Sequence, residues 1–157
     1  MKSQPSFRVV ALDPSLAAAV RATGRDASGR PALRRADAAP HQCRACLELT
    51  KPGEPVLLFS HRPFRAEQPY AESGPVFIHE RPCAPPADDS IYPRQFPRAH
   101  AVLRAYTAAD EIADAEVVGN RPVEDVLAEL LARPEVAYVH ARNDSYGCYM
   151  FRVERAA

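Results

Sequence analysis

The most regular pattern of apolar residues lies between Pro122 and Arg133. These residues recur at i, i+3, i+4, i+7 and i+8, the spacing of one helix face, and they are Val123, Val126, Leu127, Leu130 and Leu131. Glu124 and Asp125 lie near the positive end of this helix, and Pro134 ends it. The pattern predicts an amphipathic helix that covers one face of a sheet.

An earlier helix and several strands are predicted from shorter signals. Asp13-Pro14 combines a capping carboxylate with a proline at the first helical position, and Gly24 is placed to end that helix. Short apolar or alternating runs predict strands at 7–12, 56–61, 76–80, 100–106, 112–118, 136–142 and 147–155, with an edge strand around 32–36. Recurrent prolines between Arg81 and Pro97 predict a long surface loop.

These elements predict an α+β fold in a single domain over residues 1–157. We expect a largely antiparallel, twisted sheet of about six or seven strands with two helices. A hydrophobic content of 46% and a charged content of 25% are typical of a folded globular protein and exclude general disorder.

Charge and hydropathy narrow the classes of partner. The chain carries 20 basic and 20 acidic side chains, so it lacks the positive excess of proteins that coat nucleic acid, and nucleic-acid binding is not expected. No run approaches the ~20 apolar residues that span a bilayer, so no membrane partner is expected. Without a signal-peptide pattern at the start, we expect a cytoplasmic protein with reduced cysteines and no bound cofactor.

Five stretches of sequence are characteristic when they are taken together. They are Cys43-Arg44-Ala45-Cys46-Leu47, Lys51-Pro52-Gly53-Glu54, residues 69–77 (PYAESGPVF), Leu103-Arg104-Ala105-Tyr106, and His140-Ala141-Arg142-Asn143 with Tyr146-Gly147-Cys148. Their order and spacing resemble the bacterial family catalogued as domain of unknown function 1203, from Pro40 to the end of the chain. The resemblance implies a single-domain bacterial protein and brings no activity with it.

Cys43 and Cys46 form a Cys-x-x-Cys motif with two chemical interpretations. Two thiolates at this spacing can hold half of a zinc site, or they can act as a redox pair. A structural zinc site needs a second ligand pair, and no second Cys-x-x-Cys or His-x-x-x-His occurs. His41, His79, Cys83 or Cys148 could complete the site only through the fold. We therefore expect no bound metal and keep both interpretations as alternatives.

The last two predicted strands form a hairpin whose pairing decides which side chains share a face. If Arg142 pairs with Gly147, then His140 opposes Tyr149, and residues 136 and 138 oppose residues 153 and 151. His140 and Arg142 then lie at one end of an apolar face. Cys148 lies on the opposite face in this register, unless a bulge shifts the pairing.

Arginines among apolar residues suggest a ligand pocket. Arg104 lies between Leu103 and Ala105, and a buried guanidinium needs a carboxylate partner or a polar pocket. If the strands of Arg104 and Arg142 are neighbours, an anion or an acidic side chain must lie between the two cations. We expect a small anionic or polar ligand here, with His140 as a candidate for proton transfer. The expected binding residues are Arg104, Tyr106, His140, Arg142 and Asn143.

A second class of function remains open, that of a non-catalytic interaction protein. The segment from Arg25 to Arg44 is rich in arginine, whose planar cation suits acidic partners. Converging Arg104 and Arg142 side chains in a pocket favour the ligand hypothesis, whereas internal salt bridges at both residues favour the interaction hypothesis. Whether the protein is an enzyme is left undecided by the sequence.

Overall fold

The computed structural model describes residues 6–157. Eight strands and two helices follow one another along this part of the chain. They are β1 (Phe7–Val10), α1 (Pro14–Thr23), β2 (Leu33–Arg35), β3 (Val56–His61), β4 (Gly74–His79), β5 (Val102–Tyr106), β6 (Ile112–Val117), α2 (Val123–Leu131), β7 (Tyr138–Arg142) and β8 (Tyr149–Arg155). The predicted α+β class is confirmed, and the strands form two antiparallel sheets rather than one.

The larger sheet has the order β1-β8-β7-β5-β6, and α2 packs on one of its faces. The predicted apolar stripe of α2 is buried, with Leu127 and Leu131 fully inaccessible to solvent. It meets alternate strand residues such as Leu103, Val139 and Val153 in one apolar core. The opposite face of this sheet carries the polar and aromatic side chains of the candidate pocket, because side chains alternate along a strand.

The smaller sheet has the order β2-β3-β4 and packs with α1 around a second core. Asp13 caps α1 by accepting a hydrogen bond from the Ser15 amide, and Gly24 ends it with a φ of 65°, as the sequence predicts. Residues 81–97 contain no helix or strand, so the predicted loop is confirmed. Neither helix in residues 6–157 is long and apolar enough to cross a membrane.

The predicted register of the last hairpin is wrong. Arg142 pairs with Tyr149, and a bulge between Ala141 and Arg142 then brings His140 opposite Arg152. The turn fixes this register, because the Asn143 side chain accepts hydrogen bonds from the amides of Tyr146 and Cys148. The hairpin loop is consequently longer than expected, and the bulge interrupts the alternation of faces, so that the adjacent residues Met150 and Phe151 both lie in the larger core.

Candidate metal centre

Three separate segments bring four ligand-type side chains together beside the smaller sheet. Cys43 and Cys46 come from the turn before β3, His79 is the last residue of β4, and Cys83 opens the proline-rich loop. One ligand atom of each residue lies within 4.8 Å of all the others. The fold therefore supplies the second ligand pair that the sequence patterns did not reveal.

The distances in this Cys/His cluster suit a tetrahedral metal site. With Zn–S bonds of about 2.3 Å and Zn–N bonds of about 2.0–2.1 Å, tetrahedral geometry sets S···S edges of about 3.8 Å and S···N edges of about 3.6 Å. The Cys43 and Cys83 sulfurs are 3.7 Å apart, and the Cys46 sulfur is 3.5 Å from Nδ1 of His79. All four cysteines of the chain are free thiols.

The Cys-x-x-Cys turn is held by its own backbone. The Leu47 amide donates to the Cys43 carbonyl, and the Arg44 amide donates to the carbonyl of Phe77 in β4. Leu47 has a φ of 59°, in the left-handed region that is unfavourable for a residue with a side chain. Burial of its side chain helps to hold this conformation. No helix begins at this turn, whereas a thioredoxin-like pair lies at the start of one, so the geometry favours metal binding over redox exchange.

Hydrogen bonds to the Cys43 sulfur favour its thiolate. The Cys46 thiol is the largest contributor, and the amides of Cys46, His79 and Ala45 add to it, so the pKa of Cys43 falls to about 4. The same contact with Cys43 raises the pKa of Cys46, and burial raises the pKa of Cys83. The protein alone thus stabilises the thiolate form of Cys43 only. A bound metal cation would stabilise the thiolate form of all three cysteines in the cluster.

Outer contacts orient the ligands. Nδ1 of His79 faces the sulfurs, while Nε2 lies 3.3 Å from Oε2 of Glu54. The Lys51 amide donates to the same Glu54 oxygen at 2.7 Å, so the Lys51-Pro52-Gly53-Glu54 turn positions this carboxylate. Arg21 of α1 donates to the Cys83 sulfur at 3.2 Å and to the His79 carbonyl. A carboxylate behind a histidine is the usual support of a metal ligand.

The Cys/His cluster lies at the wall of an open cleft. This cleft has a volume of about 620 Å³ and runs along the proline-rich loop. Cys46 and Cys83 line one side, and Arg81, Tyr92 and Arg94 line others. The cleft gives solvent access to the two less buried thiols.

The two arginines predicted to converge do so at a second position, on the paired strands β5 and β7. β5 and β7 are paired, with Arg104 opposite His140. Arg104 and Arg142 both bind Oε1 of Glu72, at 2.7 and 2.5 Å. An acidic side chain therefore lies between the two cations, as the sequence argument required. Both arginines are in internal salt bridges, which by the criterion given above favours the interaction hypothesis, although Arg142 also lines a cavity.

Tyr106 and His140 lie beneath these arginines in an aromatic layer. His140 is fully buried, and the rings of Phe64, Tyr106, Tyr138 and Tyr149 surround it at centroid distances of 4.8–5.1 Å. Burial, with neighbouring arginines, lowers the pKa of His140 to about 2, so this ring is neutral at physiological pH. A proton-transfer role needs access to substrate, and the buried ring has no solvent-exposed surface.

The remaining sequence-predicted groups lie apart. The Asn143 side chain shapes the hairpin turn by accepting hydrogen bonds from the amides of Tyr146 and Cys148. In the arginine-rich segment, Arg44 is 3% exposed and donates to the Tyr149 carbonyl, while Arg34 pairs with Glu80 at the surface. Burial lowers the pKa of Arg44 to about 10. This segment is thus partly structural rather than a continuous basic surface.

Sequence reasoning did not identify His79 and Cys83 as a pair. It considered both residues singly but searched for matched pairs, Cys-x-x-Cys or His-x-x-x-His, whereas the chain has the mixed pair His79-x-x-x-Cys83. A search for any two ligand-type residues three or four positions apart finds it. The Cys43–Cys46 alternative is the part of the site that the sequence did reveal.

Comparison with known proteins identifies a family and no function. The sequence profile described as "Protein of unknown function (DUF1203)" matches residues 40–155. All four residues of the Cys/His cluster and both converging arginines lie inside the matched region. Neither a curated protein nor a solved structure matches the chain.

Proposed function

The chain belongs to the DUF1203 family, whose description assigns no activity, and we propose from the Cys/His cluster that it is a zinc-binding protein. Cys43, Cys46, His79 and Cys83 supply the ligands. The observation that carries the proposal is that two opposite edges of this cluster, at 3.7 and 3.5 Å, have the lengths that a tetrahedral zinc site requires.

The type of ligand supports zinc. Three thiolates and one imidazole form a soft, tetrahedral donor set, which favours zinc over magnesium or calcium, whose ligands are oxygens. Three thiolates and a neutral imidazole around Zn²⁺ carry a net charge of −1. The Arg21 guanidinium beside Cys83 offsets this charge, and Glu54 fixes the histidine ring.

The number of protein ligands supports a structural role. Catalytic zinc sites use three protein ligands and keep one position for water or substrate, whereas structural sites use four. The cluster joins the turn before β3, the end of β4 and the start of the proline-rich loop. Zinc would therefore fasten the smaller sheet and one wall of the 620 Å³ cleft.

The test is the metal content of protein purified without chelator. We expect about one zinc per chain by elemental analysis. Replacement by Co²⁺ should give the visible absorption of tetrahedral cobalt–thiolate coordination. Cys83→Ser should lose most of the zinc, whereas Cys148→Ser, which changes a cysteine outside the cluster, should retain it.

Two results would contradict the proposal. The first is wild-type protein that is folded, free of metal and unable to take up zinc or cobalt. The second is equal zinc content in Cys83→Ser and Cys148→Ser, which would place the metal elsewhere.

A further inference from the structure

The Glu72 carboxylate uses only one of its two oxygens to bind the two arginines. Both guanidinium groups reach Oε1, and within residues 6–157 no side chain donates to Oε2. Two cations thus share a single carboxylate oxygen, which leaves the group with a net positive charge. The strongest arginine–carboxylate contact uses both oxygens, so this arrangement is weaker than the same groups can make.

Two buried donors on the paired strands of the arginines also lack partners. The Arg142 side chain is 7% exposed, and its Nε has no hydrogen-bond partner in the described chain. The hydroxyl of Tyr106, on the strand next to Arg142, is equally buried and unpartnered. A buried polar group without a partner costs free energy, and such groups mark places where something else can bind.

A cavity adjoins this position. It has a volume of about 180 Å³, and its lining includes Arg142, Glu72, His61, Tyr149 and Gly74. Burial, with the nearby Arg44, lowers the pKa of His61 to about 4, so its ring is neutral at pH 7 and can donate or accept a hydrogen bond. Arg142 is the cation on the cavity wall.

We propose that Arg104 and Arg142 form a binding site for a small organic carboxylate, and that Glu72 occupies this site until the ligand displaces it. Glu72 is suited to leave, because its side chain is 49% exposed and the arginines are the groups that its carboxylate contacts. It belongs to the segment between β3 and β4, which has no regular structure from residue 62 to residue 73. A departing Glu72 side chain can therefore be solvated without unfolding a strand.

The ligand class follows from the present occupant and the space. A carboxylate reproduces the contacts of Glu72, and one that enters the cavity can use both oxygens on Arg142. A volume of about 180 Å³ admits a molecule of a few carbons. This site differs from the sequence-based one: it retains Arg104, Tyr106 and Arg142, omits Asn143 and the buried His140, and adds Glu72.

The experiment is a titration with succinate at constant ionic strength, followed by NMR of the arginine Nε–H groups. We expect succinate to shift the Arg142 signal in the wild-type protein. Glu72→Gln removes the competing charge at nearly constant size, so it should bind succinate at least about tenfold more tightly, the value of one charge-assisted hydrogen bond. Arg142→Gln should abolish binding in both backgrounds.

Glu124→Gln is the matched control, because it removes the same charge from a surface pair with Arg98. It should leave succinate binding unchanged. Equal affinity of wild type and Glu72→Gln would overturn the displacement proposal. Absence of any shift of the Arg142 signal in the wild-type protein up to about 50 mM succinate would also overturn it. This second result does not depend on whether the Glu72→Gln variant folds.

Inorganic phosphate forms the second arm of the titration. Tighter binding of phosphate than of succinate would overturn the assignment to carboxylates. A gain in affinity that appears equally in Glu72→Gln and Glu124→Gln would show a general effect of charge and would also overturn the site.

Discussion

The two sheets of this protein are stabilised in different ways. The five-stranded sheet is covered by α2 and shares with it an apolar core that includes Leu103, Leu127 and Phe151. The three-stranded sheet packs on α1 with a smaller core, in which two of the buried residues are Cys43 and Cys46. Where apolar area is limited, small structures commonly add a metal or a disulfide.

The two sheets should therefore respond differently to substitutions. The larger sheet depends on area removed from water, which is spread over many side chains. The smaller sheet has a smaller apolar core, and under the zinc proposal it also depends on four ligand atoms that come from both sides of the β3–β4 hairpin. A change at the Cys/His cluster should therefore act locally, and a change under α2 should act on the whole fold.

Zinc removal is expected to have the largest effect and to act on the smaller sheet first. In isolated zinc fingers the metal contributes roughly 10–16 kcal/mol, an upper bound for a chain with another core. After removal by a chelator, amides of β3 and β4 should lose protection from hydrogen exchange while those of β5 and β7 keep it. Uniform loss of protection in both sheets would show that the two halves are not separable.

Leu127→Ala tests the larger half. Leu127 lies on the buried face of α2 and is fully inaccessible to solvent, so we expect Leu127→Ala to lower the free energy of unfolding by ~2–5 kcal/mol, measured by urea denaturation. The zinc content should not change. Val117→Ala, at a residue that is 65% exposed, is the control and should cost less than about 0.5 kcal/mol. A loss below half a kcal/mol in Leu127→Ala would contradict the assigned core.

Glu54→Gln tests the support behind His79. The carboxylate holds the histidine ring from the side opposite the sulfurs, so its loss should weaken zinc affinity by ~10–100-fold. Competition with a chromophoric chelator measures this affinity. Glu80→Gln, which removes a surface partner of Arg34, should leave the affinity unchanged. Similar affinities in the two variants would show that Glu54 has no role at the metal.

Burial of His140 in the larger sheet should make the stability of the protein depend on pH. Burial lowers its pKa from 6.5 to about 2 in the folded protein. Between these values the unfolded chain binds a proton that the folded protein does not, so stability falls as the pH falls below 6.5. His140→Gln should remove ~1.4 kcal/mol per pH unit of this slope between pH 6 and 5.

The control for this slope is His100→Gln, since the His100 side chain is 75% exposed. Urea denaturation at several pH values should give wild-type slope in His100→Gln and a shallower slope in His140→Gln. Equal slopes in the two variants would show that the pKa of His140 is not lowered in the folded protein.

Much of the fold was predictable because its signals are local. The α2 stripe, the Asp13 cap and the Gly24 stop each lie within one element, and the structure confirms them. The separation into two sheets was missed, because the pairing partners of β3 and β4 depend on packing between distant segments. The hairpin register was missed for a related reason: the Asn143 side chain sets a turn that strand alternation does not reveal.

The same distinction between local and long-range signals applies to the candidate sites. The convergence of Arg104 and Arg142 was predictable, since it needs only neighbouring strands and alternation. The partner Glu72 comes from an irregular segment and could be inferred only as a charge that had to exist. The expectation of no metal rested on an incomplete search for ligand pairs, and the zinc-binding proposal above replaces it.

The position of β3 and β4 between the two ligand pairs also orders the events of folding. Cys43 and Cys46 precede this hairpin, His79 is its last residue and Cys83 follows it, so the four ligands come together when the two strands pair. Closing a loop of this length carries an entropic cost that must be met before the metal can bind at full strength. If the chain binds zinc as proposed, we therefore expect tight zinc capture to follow the pairing of β3 and β4 rather than to start folding.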